Sequence, residues 1–128
     1  MVNLNITTLG SRFTDYRQDI IGDSFNFGPL HSLDKIKFFF IHHSVTPQEG
    51  NWKVEADRIA GLHVNGNGWA GVGYHFIIGS DGVVAYVQDI SHGGASVLNH
   101  NDVLVSCCLV GDFTKQLPTD MQIHSAHH

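Results

Sequence analysis

The run Ile36-Lys37-Phe38-Phe39-Phe40-Ile41-His42-His43 constrains the fold of this chain more than any other segment. Side chains on a strand alternate between its two faces, and here both faces are almost wholly apolar, the pattern of a strand buried on each side. The segment therefore predicts a central strand covered above and below, the frame of an α/β domain. His42 shares its face with Ile36, Phe38 and Phe40, whereas His43 points the other way. The strand thus carries an imidazole to the rim of a sheet.

Other segments fit this frame. Asn51 is placed to cap a helix whose apolar positions, Trp52, Ala56, Ile59 and Leu62 or His63, follow the helical period, with Asn65-Gly66 as its stop. Residues 72–78 alternate as a strand, and Ser80-Asp81-Gly82 reads as a hairpin turn into residues 83–87. Residues 104–110 form another buried strand. Between the last two lies a Gly-rich polar loop from Ser91 to Asn101, the kind of segment that contacts ligands. Thr119 with Gln122 makes a capping box, opening a helix with only residues 120–128 to run, short of the roughly 12 to 15 that an isolated helix needs. Residues 1–34 show no clear period and are read as an N-terminal arm packed on a domain spanning residues 35–128.

Composition narrows the function. At 128 residues one core is expected, and a formal net charge of -5 with no basic stripe argues against nucleic acid as a partner. The longest apolar stretch, Phe38 to Ile41, is far shorter than the roughly 20 residues of a spanning helix, so no membrane association is expected. The first residues lack the charged and apolar regions of a signal peptide, and a soluble chain is expected. Cys107 and Cys108 are neighbours that alternation sends to opposite faces, which predicts two reduced, buried thiols.

Five pieces of the chain resemble, in order, the zinc-dependent N-acetylmuramoyl-L-alanine amidases of the phage-lysozyme and peptidoglycan-recognition-protein type. They are Phe40 to Thr46, Gly68 to Ile78 with the Asp81-Gly82 turn, Ser91-His92-Gly93-Gly94, Asn99-His100-Asn101, and Cys108 to Phe113. The resemblance implies a single domain with a central mixed β-sheet flanked by helices, and zinc in a groove that binds peptidoglycan. It assigns His42 as a zinc ligand and Tyr74 as the tyrosine that assists catalysis, with Trp69, His92 and Asn99 lining or shaping the groove. Spacing alone would make His42 a structural histidine and Tyr74 a half-buried strand aromatic. The family's remaining ligands, a histidine and a cysteine or aspartate, follow the helix that here begins at Thr119. The zinc site is accordingly expected to be incomplete, the domain to lack its C-terminal part, and hydrolysis by these 128 residues alone is not expected.

The implied activity is hydrolysis of the amide between N-acetylmuramic acid and L-alanine in the cell wall, by a phage endolysin or a bacterial enzyme. A non-catalytic peptidoglycan-binding module is the alternative. Strand parity makes His43 and His75 core or supporting groups, and His63 sits at the edge of the apolar helix face, where packing is expected. His124, His127 and His128 share one helical face by their spacing and read as a surface able to bind metal adventitiously.

Overall fold

The computed structural model describes residues 13–28, 36–95 and 104–127. Their elements run β1 (Phe13–Asp15), β2 (Phe38–His43), α1 (Trp52–Gly61), a π-helical turn (Leu62–Gly66), β3 (Phe76–Ile78), β4 (Val84–Tyr86), β5 (Leu104–Leu109) and α2 (Asp120–His127). The strands form one sheet in the order β1-β4-β3-β5-β2. Only β3 and β4 pair antiparallel, so the sheet is mixed, as the resemblance implies.

Alternation sorts the core onto the two faces of this sheet. Ile77, Ala85, Cys108 and Val110 pack against Ala56, Ile59 and Ala60 of α1. Phe76, Ile78, Val84, Tyr86, Val105, Cys107 and Leu109 form the opposite cluster, with Phe113 and Ala126 against it. The adjacent cysteines are therefore buried, free, and on opposite faces, as their parity requires.

One expectation is corrected. The apolar run at β2 does not make a central strand: β2 is the last strand in the sheet order, and Phe39 and Ile41 are 52% and 56% exposed. The interior place is taken by β5, whose six residues are all buried and which pairs with β2 on one side and β3 on the other. Apolar character on both faces makes a strand fit for a covered position; the order of pairing decides whether it gets one. The strand expected over residues 72–78 is also shorter, because β3 begins at Phe76. Its approach is bonded partly to a loop, with the Ala95 amide donating to the Gly73 carbonyl, and joins β5 at His75, whose amide donates to the Ser106 carbonyl.

Short-range signals are met closely. Asn51 Oδ1 accepts from the amides of Lys53 and Val54 at 2.9 and 3.3 Å, capping α1. Gly82 takes φ +85° in the β3–β4 turn, a left-handed conformation that favours glycine. In the capping box, Thr119 Oγ1 accepts from the Gln122 amide at 3.1 Å and Gln122 Oε1 accepts from the Thr119 amide at 3.0 Å. Gln122 is fully buried, and its Nε2 also donates to the Ile78 and Val110 carbonyls, which fastens α2 to the sheet.

Residues 13–28 contribute β1, which pairs with β4, and then cross α1. Tyr16 packs edge-on against Trp52, and its hydroxyl donates to Asp57 at 2.9 Å; burial and that carboxylate push its phenol up to about 12. Arg17 bridges Asp15 and Asp89 with its guanidinium over the Tyr86 ring. The segment is thereby held to both ends of β4.

Candidate active site

β2 and β5 run parallel with His42 beside Cys108, on the face that α1 covers. Tyr74 stands at the approach to β3 and packs against the same cluster. The His42 and Tyr74 rings consequently lie on one face, with centroids 5.5 Å apart. His42 Nε2 is buried and has no hydrogen-bond partner among the described residues. Burial, then the neighbouring His43, lowers the His42 pKa, so the ring is neutral and Nε2 or Nδ1 can offer a lone pair near pH 7. Burial is also the main cause that raises the Tyr74 pKa, with the Cys108 thiol adding to it, so this phenol keeps its proton at neutral pH and can donate it in a hydrogen bond.

From this pair a row of rings continues outward. His63 stands 5.4 Å from Tyr74 and 4.7 Å from Trp69, and Trp69 stands 6.0 Å from Phe27. Sequence placed His63 on the packed side of a helix. It is half-buried, but it occupies the π-helical turn, where the extra residue per turn swings it toward Tyr74. Its Nδ1 accepts from the Gly73 amide at 2.9 Å, which leaves the ring proton on Nε2. No local pattern signals that placement. Phe27, read only as part of an arm, joins the row through contacts between segments far apart in sequence.

The remaining expected residues separate. His92 is half-buried, and its Nδ1 donates to the Gly28 carbonyl at 3.1 Å, so its ring is turned to the N-terminal segment. Its own carbonyl is bonded by His75 Nε2, while His75 Nδ1 accepts from the Ser106 amide. His75 is thus a fully buried clip between the 91–95 loop and β5, the supporting role that parity predicts. His43 faces the other side, stacked on Phe113 and accepting from its amide. Asn99, His128 and the His127 side chain lie outside the described residues, and His124 is exposed.

A concavity of about 310 Å³ opens beyond the His43 loop, lined by Val45, Thr46, Pro47, Asp112, Lys115 and Gln116. It shares no residue with the aromatic row. Val45 is held there at φ +57°, a strained conformation for a β-branched residue, by its amide bond to the Gly111 carbonyl.

Zinc held for hydrolysis takes about three protein ligands. His42 fits one position through its unpartnered nitrogen, but the described residues contain no group of three His, Cys, Asp or Glu able to hold a metal. His42 alone does not close such a site.

The sequence pattern of the N-acetylmuramoyl-L-alanine amidases matches residues 32–128. The chain belongs to this family. It is 41% identical over 73 residues to the endolysin of Enterobacteria phage K11, covering 57% of this chain and 46% of that protein. It is 28% identical over 93 residues to the N-acetylmuramoyl-L-alanine amidase of Homo sapiens, covering 69% of this chain and 16% of the human protein. The family chain thus spans less than half the length of either relative. In fold it matches a human peptidoglycan-recognition protein crystallised with a glycosamyl muramyl pentapeptide at TM-score 0.76, with 17% identity, covering 92% of this chain and 72% of that one.

Proposed function

We propose that this amidase-family chain acts on peptidoglycan at the amide joining N-acetylmuramic acid to L-alanine. The observation that carries the reading is the convergence of His42, with its unpartnered buried Nε2, and the protonated Tyr74 hydroxyl on one face of the sheet. His42 would hold one position on zinc, which when bound supplies an activated water. Tyr74 would donate a hydrogen bond to the oxygen on which charge develops as the carbonyl is attacked. Trp69 would lie along the muropeptide, with His92 and Asn99 shaping its loop. Membership of the family, and relatives named as amidase and endolysin, support the substrate class.

A second reading is supported by the fold match to a peptidoglycan-recognition protein crystallised with a glycosamyl muramyl pentapeptide. On that reading the chain binds muropeptide without cleaving it. Titration of a muramyl pentapeptide, together with release of stem peptide from purified peptidoglycan with zinc and with chelator, separates the two. Zinc-dependent release that is lost in His42→Ala supports the hydrolase. Binding without release supports the module, and absence of both overturns the reading.

A further inference from the structure

Residues 23–28 are locked between the two loops that flank the aromatic row. The Asp23 amide donates to the Ala70 carbonyl at 2.7 Å, and the Gly94 amide donates to the Phe27 carbonyl at 3.2 Å. Gln88 Nε2 donates to the Asp23 carbonyl and His92 Nδ1 to the Gly28 carbonyl, while Asp23 Oδ1 accepts from the Phe25 and Asn26 amides and shapes the turn. The approach is so close that a Cβ at Gly71 would strike the Asp23 carbonyl, and one at Gly28 would strike the Gly94 backbone. All of these bonds use the Phe27 backbone or its neighbours. The Phe27 ring itself belongs to neither hydrophobic cluster, nor does that of Trp69. Two half-buried aromatic rings, 6.0 Å apart and inclined at 42°, are thus held outside the core clusters at the end of the row that starts at His42.

We propose that Phe27 is a binding residue for muropeptide, forming with Trp69 the far end of the aromatic row and packing against a C–H-rich face of the ligand. The inference rests on the reading of the chain as a peptidoglycan-binding domain. Aromatic rings contribute large contact area at small entropic cost, and their faces suit the axial C–H groups of a pyranose or the aliphatic groups of a stem peptide equally. The N-terminal segment is on this account part of the recognition surface rather than only a strand added to the sheet.

The test compares wild type, Phe27→Ala and Phe27→Tyr by calorimetric titration with three probes: the disaccharide pentapeptide of peptidoglycan, the free pentapeptide, and the peptide-free disaccharide. Phe27→Ala is expected to bind the complete muropeptide about tenfold more weakly, and Phe27→Tyr to stay within about twofold, with thermal unfolding midpoints close to wild type. The fragment whose binding falls in parallel identifies the face that the ring covers. Unchanged affinity in Phe27→Ala, or equal weakening in both variants with a lowered midpoint, overturns the proposal. Failure of the wild type to bind any probe instead removes the underlying reading, and this proposal with it.

Discussion

At the scale of single residues, burial sets the chemistry of the row. It lowers the pKa of His63 below 6.5, so above pH 6.5 folded and unfolded chains are both neutral there and the group contributes nothing. As the pH falls through that value the unfolded chain takes up the proton first, and stability declines until the folded ring is protonated too. His63→Gln, which can still accept from the Gly73 amide, should therefore lose less unfolding free energy than wild type as the pH falls below 6.5, read by urea titration at stepped pH. An unchanged slope would show that His63 is not held neutral by burial. Tyr74 makes a different demand, because its value lies in a protonated hydroxyl. In any preparation that turns over, Tyr74→Phe should lower kcat about a hundredfold while muropeptide affinity stays within about twofold. Equal loss in both would reassign the hydroxyl to ground-state binding.

At the scale of elements, α2 is a short helix that depends on one side chain. Gln122 closes the capping box and reaches two carbonyls of the sheet from a fully buried position. Removing it deletes its bonds to those two carbonyls and to the Thr119 amide, each worth about 0.5–1.5 kcal/mol, although the Val110 amide still serves the Ile78 carbonyl and Gln48 Nε2 the Val110 carbonyl. Gln122→Ala should lower the unfolding free energy by about 2–4 kcal/mol, and amide exchange in α2 should rise first. A loss under about 1 kcal/mol would mean that apolar contacts of the helix, not this network, hold it in place. Glu55 acts similarly at the other side of the sheet, accepting from Ser80 and from the Glu49 amide, so one turn of α1 secures both the loop leaving β2 and the β3–β4 hairpin.

At the scale of the whole molecule, strand order separates residues of like character into unlike environments. Ile77 is fully buried inside the sheet, and Ile41, on the edge strand, is 56% exposed. Ile77→Ala should cost about 2–5 kcal/mol, whereas Ile41→Lys should alter stability by no more than about 0.5 kcal/mol and reduce self-association through an apolar edge. Denaturant titration and light scattering read the two effects. A large loss in Ile41→Lys would show that the outer face of β2 is covered.

What the sequence determined by itself was local: the Asn51 cap, the Ser80-Asp81-Gly82 turn, the Thr119–Gln122 box, the opposite faces of Cys107 and Cys108, and the separation of His42 from His43. Each depends on periodicity or on hydrogen bonds spanning a few residues, so each can be read without knowing its neighbours in space. Tertiary structure decided the rest. β5 rather than β2 took an interior place, the π-helical turn carried His63 to Tyr74, His92 turned to Gly28, and Phe27 came to rest beside Trp69. Apart from the turn at His63, those outcomes are choices among long-range pairings, made by backbone hydrogen bonds and close glycine contacts between segments distant in sequence, such as Phe27 with Gly94. Local pattern fits a segment for burial or for a turn, but only the competition among all segments for the same partners assigns its place.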